Sequence, residues 1–427
     1  MVSTYAAFLE NKAALAPASG IDIDDDAVNW MLHPWQRQIV RDCCRIGRAA
    51  IFADCGLGKT FMQLEWARLI SHRTLIVAPL SVARQTVNEA KKLYLDVTYA
   101  RTGDEVDGDG IWITNYEMAD KFDPATFDAV VLDESSILKN ATGVMRNRLI
   151  TQWADTKYRL ACTATPAPND ITELTNHAEF LGHMPRNEML AAWFIHDNDG
   201  WRIKGHARGP LFRWMSSWAI AARFPSDVGG DDTGYRLPAL TIVPEVVHVD
   251  NAPEGQLFAT ELGGIGGRSQ VRRFTLDDRV GRAVDIASRP GQWIVWCGLN
   301  DEADQVAAAV DGAVNVDGAM DPDDKADTFE AFQDSKVRVL VTKPAIAGFG
   351  MNFQNAHQMI FVGISDSYER YYQSIRRCWR FGQSEPVDVH IVVSDLESQI
   401  VTNVRNKERE ASKMTAELVA NMRGIQP

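Results

Sequence analysis

The chain lacks what would place it in a membrane, on a zinc scaffold or in an oxidising compartment. No apolar run among its 427 residues is long enough to span a bilayer. Its opening, "MVSTYAAFLENK", has no basic-then-apolar export layout. The six cysteines form no Cys-x-x-Cys pair. That argues against zinc and against a disulfide framework, so a reducing cytoplasm is the expected setting. A basic excess is missing too: the formal net charge is −13, whereas a polynucleotide binder usually carries surplus lysine and arginine. This balance still allows local basic patches on an acidic body. What is present, 45% hydrophobic and 24% charged residues, suffices for two or three domains with cores.

One further absence is local. The stretch "AAIFADCGLGKTFMQLEWA" (49–67) is laid out as a phosphate-binding loop, yet Ala53 stands where the commonest version has its first glycine. "RAAIFA" reads as a buried parallel strand and "DCGLG" as a turn. "KTFMQLEWARLIS" reads as a helix, with Phe61, Leu64 and Leu69 at helical spacing. Strand, Gly-rich turn and a helix opening on Lys-Thr form the context such a loop requires. Backbone N–H groups of the turn and helix start point at phosphates. Gly56, Leu57, Gly58, Lys59 and Thr60 are therefore the candidate nucleotide contacts, with Lys59 as the cation and Thr60 as a hydroxyl for Mg²⁺. Ala53 can end the strand while its φ stays negative.

A nucleotide-hydrolysing loop also needs a carboxylate for Mg²⁺ and a group that activates water. "FDAVVLDESSILKN" (127–140) offers both at the end of a strand built from Val130, Val131 and Leu132. Asp133 suits Mg²⁺ and Glu134 suits the attacking water. Upstream, Gln36 in "LHPWQRQIV" has one donor and one acceptor with which to read an adenine edge.

In this order the motifs resemble those of the superfamily-two helicases, within them the Swi/Snf-type double-stranded DNA translocases, and most of all the compact versions in phage genomes. "HPWQ" is similar to the Q-motif and "ADCGLGKT" to that branch's phosphate loop. "LIVAPLSVARQT", "ITNYEMA", "VVLDESSILKN" and "LACTATPAPNDITEL" are similar to motifs Ia, Ib, II and III. "WIVWCGLNDEADQV", "VLVTKPAIAGFGMNFQNA" and "YQSIRRCWRFGQSEPVDVHIVV" are similar to motifs IV, V and VI. The chain departs from the pattern at Ser136, where motif II usually has His or Asp, and at Arg376, where motif VI usually has Gly. Ser136 is placed to hydrogen-bond to Thr163 or Thr165.

The resemblance implies an α/β fold of two RecA-like parallel-sheet lobes, with a mainly helical insertion after motif III. The expected boundaries are an N-terminal segment over 1–30, lobe one over 31–170 and the insertion over 171–236. A connector follows over 237–290, then lobe two over 291–400 and a C-terminal helix over 401–427. It implies ATP and Mg²⁺ as cofactors, with Gly350 a further nucleotide contact. Arg377 and Arg380, three apart on one helical face, would reach the γ-phosphate across the cleft, and such an arginine is worth roughly a thousandfold or more in rate. Ser81, Asn115 and Thr342 are the implied nucleic-acid contacts, mainly to phosphates, because a translocase must ignore sequence.

Two basic runs, "WRIKGHARG" with Arg202, Lys204, His206 and Arg208, and "LGGIGGRSQVRRF" with Arg268, Arg272 and Arg273, are further places for nucleic acid to touch. Their alternatives are a folded insertion and a flexible connector. The expected activity is ATP-dependent movement on DNA, duplex favoured, with protein partners in a replication or recombination complex possible and no membrane association. An RNA helicase and a non-motor ATP- and DNA-binding scaffold remain alternatives. A GTPase is disfavoured because no Asn-Lys-x-Asp guanine motif occurs.

Overall fold

A computed structural model describes residues 15–198, 200–248, 271–347, 351–364, 367–395 and 398–423. The chain divides into two compact units. One runs up to Thr233 and takes in the chain from Glu410 onward; the other is Gly234–Arg409.

In the first unit the strands in chain order are β1 (Arg48–Ala53), β2 (Arg73–Ala78), β3 (Val97–Tyr99), β4 (Gly110–Asn115), β5 (Ala129–Asp133) and β6 (Tyr158–Cys162). After them come β7 (Phe194–Asp197), β8 (Gly200–Ile203) and β9 (Ala219–Ala222). All but β7 and β8 form one sheet in the order β3-β4-β2-β5-β6-β1-β9. Every pairing in it is parallel. The short apolar runs are buried on both faces, as expected of strands covered by crossover helices. Val130, Val131 and Leu132 are wholly buried in β5, as are Ala49, Ala50 and Ile51 in β1. Ala53 ends β1, so the missing glycine costs the loop nothing at that point. The helix Lys59–Ile70 that follows is buried more completely than its spacing predicted: Met62, Gln63, Leu64, Glu65 and Trp66 are all inaccessible, while Phe61 and Leu69 are only half-buried.

The segment after β6 is not purely helical. "PLFRWMSSWAIAARF" forms a helix only over Arg208–Met215, and its "AIAA" becomes β9. Alanine has little intrinsic preference for a strand, but β1 needs a partner along its second edge, because its buried N–H and C=O groups must all be bonded. β9 supplies it in parallel register, with Ala50 opposite Ala219 and Ala53 opposite Ala222. The segment therefore completes the first sheet. The basic run lies partly in the antiparallel hairpin of β7 and β8.

The second unit is built on β10 (Leu240–Val247), β11 (Trp293–Cys297), β12 (Ala313–Val316), β13 (Val339–Thr342), β14 (Gln358–Val362) and β15 (Val387–Ser394). Their order is β10-β15-β14-β11-β13-β12, again all parallel. β10 falls in the stretch read as connector. It joins the sheet at its edge, where Pro244 removes no ladder donor that a second neighbour would need. The core of this unit gathers Trp293, Val295, Val341, Ile360 and Val362 against Ala283, Ile286 and Val306. Within it Arg279 and Glu302, both inaccessible, pair at 2.7 Å. Glu302 also accepts the N–H groups of Gly298 and Leu299 at 2.8 and 2.9 Å, closing the turn after β11.

Candidate nucleotide site

The loop between β1 and the helix Lys59–Ile70 turns on two glycines with positive φ, Gly56 at 90° and Gly58 at 76°. At Gly58 a Cβ would also lie 2.5 Å from Nε2 of Gln36, so the position excludes side chains twice over. Gln36 uses both ends of its amide. Its Oε1 accepts the N–H of His33 at 2.9 Å, and its Nε2 donates to the carbonyl of Leu57 at 3.0 Å. The residue read as an adenine reader therefore holds the crown of the loop. Lys59 opens the helix and folds back over the loop, its Nζ donating to the carbonyls of Ala53 at 2.8 Å and Asp54 at 3.3 Å. Thr60 follows it in the first turn, half-buried.

Two strands away, β5 ends on Asp133. Its carboxylate accepts Gln63 Nε2 at 2.9 Å and the N–H of Glu134 at 3.0 Å. Burial pushes its pKa up, against the opposing pull of the Gln63 hydrogen bond and the Lys59 ammonium. Tyr116 fixes the same strand end by donating its hydroxyl to the Asp133 carbonyl at 2.6 Å. Glu134 sits in the left-handed region at φ 54°, a strained backbone for a residue with a side chain. Thr163, just past β6, donates to its Oε2 at 3.4 Å. Ser136 does not reach Thr163 or Thr165 as the sequence proposed. Its hydroxyl donates back to the Glu134 carbonyl at 3.4 Å, because the chain turns into a 3-10 helix from Ser135 to Lys139. Its neighbour Ser135 meets a distant side chain instead, with His177 Nε2 at 3.1 Å from its hydroxyl.

Gln63, Tyr116 and His177 were not singled out in the sequence. A signal existed for Gln63 alone, four residues after Lys59 and hence on the same helical face. The other two come from distant strands and helices that only the fold brings in.

In the second unit, Arg377 and Arg380 lie past the end of the helix Tyr368–Ile375, in turns rather than on one helical face. Tertiary anchors redirect the chain there. The Trp379 indole donates to the Pro238 carbonyl at 2.8 Å, and Gln383 Nε2 reaches the carbonyls of Gln354, Ala356 and Cys378. Arg377 donates to the carbonyls of Gln373 and Met351 at 3.2 and 3.1 Å. Arg376, in the place of the usual glycine, lies over the rings of Tyr372 and Trp379. Gly350 lies outside the described residues.

Of the nucleic-acid candidates, Ser81 is in the first turn of the helix Leu80–Lys92. Asn115 ends β4 and is buried, its Nδ2 donating to the Tyr99 hydroxyl at 3.0 Å and its Oδ1 accepting the Met118 N–H at 3.1 Å. Thr342 ends β13 and is inaccessible, with its hydroxyl on the Val316 carbonyl at 2.9 Å. In the basic runs, Arg202 pairs with Asp197, Lys204 donates to the Ala191 carbonyl, Arg208 takes Glu417 and Arg272 takes Glu302. Arg268 lies outside the described residues. No described helix is long and apolar enough to cross a membrane.

Two family models match the chain in succession. The SNF2-related domain matches residues 24–197. The helicase conserved C-terminal domain matches residues 278–382. No curated protein matches it. Among solved structures it is similar to the Sulfolobus solfataricus SWI2/SNF2 ATPase core in complex with dsDNA, at 16% identity and a TM-score of 0.45, over 92% of this chain and 96% of that one. The first model spans the phosphate loop, Asp133, Glu134 and Thr163, and the second spans Arg377 and Arg380. The chain belongs to the Swi/Snf-type superfamily-two helicases, which are nucleic-acid-dependent ATPases of the helicase and translocase kind.

Proposed function

We propose that the chain hydrolyses a magnesium nucleotide, ATP, to move along duplex DNA, holding it by the backbone. The observation that carries the site reading is the linkage of Lys59, Asp133 and Glu134 through one parallel sheet. Lys59 caps the loop after β1, Gln63 ties its helix to Asp133, and Thr163 ties Glu134 to the strand between them. Ligands of parallel sheets sit beyond the carboxyl ends of the strands, where all these residues are.

The residues present fit the metal. Asp133 is a carboxylate that burial resists ionising, so added positive charge there is favourable. Among the described residues no cluster of three or more acidic, histidine or cysteine side chains could hold a metal by itself. That suits Mg²⁺, which takes one or two carboxylates together with substrate phosphates. Thr60 and Asp133 would hold it, and when bound it would neutralise phosphate charge. Lys59 would exchange its two carbonyl partners for phosphate oxygens. Glu134, oriented by Thr163, would accept a proton from the attacking water. Arg377 and Arg380 would supply cations for the charge that develops in the transition state.

The decisive measurement is the ATPase rate without polynucleotide and with single-stranded DNA, duplex DNA or RNA. Stimulation greatest with duplex DNA is expected. Equal rates in all four would refute a motor, and stimulation by RNA alone would make the track RNA. Lys59→Ala and Arg380→Ala should each abolish turnover. A near-normal rate in Arg380→Ala would remove that arginine from the mechanism.

A further inference from the structure

We infer that Arg223 is a nucleotide-contacting residue that grips the nucleoside end of ATP, at its ribose and α-phosphate. The inference rests on the nucleotide reading above and extends it to a residue that neither motif nor spacing marks.

Arg223 follows β9 directly. Ala222 is in register with Ala53, and the Asp54 N–H donates to the Ala222 carbonyl at 2.9 Å. Arg223 therefore stands level with Asp54, the first residue of the phosphate loop. The sheet order runs β5, β6, β1, β9. Asp133, Glu134 and Thr163 all lie on one side of the loop, so the terminal phosphate must point that way. The nucleoside must then leave on the other side, over β9. The wall of that side is already formed: Gly230, in the chain beyond β9, approaches Trp35 so closely that a Cβ there would lie 2.6 Å from the indole Cδ1. Gln36, in the same helix as Trp35, touches the loop at Leu57.

The backbone of Arg223 is fixed. Asp227, itself buried, accepts the N–H of Arg223 at 2.8 Å and of Phe224 at 3.1 Å. The guanidinium is not: among the described residues it makes no hydrogen bond or ion pair, and its Nε is shielded from solvent without a partner. Arg48 and Arg159, at the opposite, amino ends of β1 and β6, spend their guanidinium donors on carbonyls instead. A half-buried arginine, its Nε shielded and its terminal donors unspent, beside a phosphate loop matches the oxygens of a ribose and a phosphate. Because these groups are the same in ATP, ADP and the transition state, the contact lowers KM and Kd rather than raising kcat.

The test is calorimetric titration of the full chain with ADP, together with steady-state ATPase kinetics in duplex DNA. Arg223→Met, which keeps the stem, is expected to raise Kd for ADP and KM for ATP at least about tenfold with kcat within about twofold. Arg223→Lys should recover part of the affinity. Thermal melting without nucleotide should be unchanged in both variants. Wild-type affinity for ADP in Arg223→Met overturns the inference alone, as does a loss of kcat with Kd unchanged. Failure of the wild-type chain to bind ADP overturns the nucleotide reading and this inference with it.

Discussion

The imidazole of His177 lies 3.1 Å from the hydroxyl of Ser135, and both side chains are inaccessible to solvent. His177 belongs to the helix Leu174–Leu181 in the segment after β6, while Ser135 follows the carboxylate pair at the end of β5. The same ring meets Phe52 of β1 edge-on, with centroids 5.2 Å apart. One histidine thus fastens the segment after the third motif to both the strand before the phosphate loop and the turn after Glu134. Where the family usually has a histidine or aspartate inside the second motif, this chain has Ser136, and an imidazole arrives next door from another helix.

Acid should loosen this fastening. Burial lowers the His177 pKa from the ordinary 6.5 to about 4. Between those values the unfolded chain binds a proton that the folded site refuses, so stability is full above pH 6.5 and falls as pH drops through that window. The loss from this one group should reach about 3 kcal/mol. His177→Phe keeps the ring but removes the titration. It should start less stable, by about 1–3 kcal/mol for the stranded Ser135 hydroxyl, and lose less on acidification. Denaturant midpoints of both proteins at pH 7, 6, 5 and 4 would show it; parallel pH profiles would refute the assignment.

Asp133 should behave in the opposite sense. Its pKa is raised, chiefly by burial, so ionising it costs the folded state stability as pH rises from the ordinary carboxylate range. Asp133→Asn removes that charge and keeps a partner for the Glu134 N–H. The variant should melt at or above the wild-type temperature at neutral pH, yet hydrolyse no ATP. Adding Mg²⁺ with a nucleotide should raise the melting temperature of the wild type by more than that of the variant. A clearly lower melting temperature in Asp133→Asn would show the ionised carboxylate to be stabilising.

Much of this was legible along the chain because strand-end chemistry is local. "RAAIFADCGLGKT" shows a strand, a turn and a helix start in unbroken sequence, and the structure has β1, two positive-φ glycines and a helix from Lys59. "VVLDE" is equally local. What could not be read depended on long-range pairing. "AIAA" has no strand signal, and it becomes β9 only because β1 has an edge to fill. "LTIVPEVV", at the entry to the second lobe, gives no local sign of its neighbour, and it is an edge position beside β15 that makes it β10. Arg377 and Arg380 fit a helical spacing, but Trp379 and Gln383 tie the chain into turns. Thr342 and Asn115 have side chains suited to phosphates, and the fold turns both inward.

The buried pair of the second unit should be costly to break. Arg279 and Glu302 are both inaccessible, and Glu302 also holds two backbone N–H groups after β11. Glu302→Gln leaves the guanidinium desolvated without its counter-charge, which typically costs about 3–5 kcal/mol. Hydrogen exchange should quicken across β11 and the helices Leu276–Ala287 and Asn300–Ala309, while β1 and β5 in the first unit keep their protection. Unchanged exchange in β11 would mean that the pair contributes little.

Gly58 and Gln36 should be coupled. Alanine at 58 must hold φ near 76°, a conformation costing roughly 1–2 kcal/mol for a residue with a Cβ. Its methyl would also fall 2.5 Å from Gln36 Nε2, displacing the amide from the Leu57 carbonyl. Gly58→Ala should therefore weaken ADP binding about tenfold or more, as strain and the lost tether combine. Gln36→Ala removes the tether alone and should cost less. In the double variant the clash has gone and the tether is lost only once, so the combined loss should be smaller than the sum of the two single losses. Calorimetric Kd values for ADP in the four proteins complete the cycle, and strictly additive losses would show that the two residues do not meet.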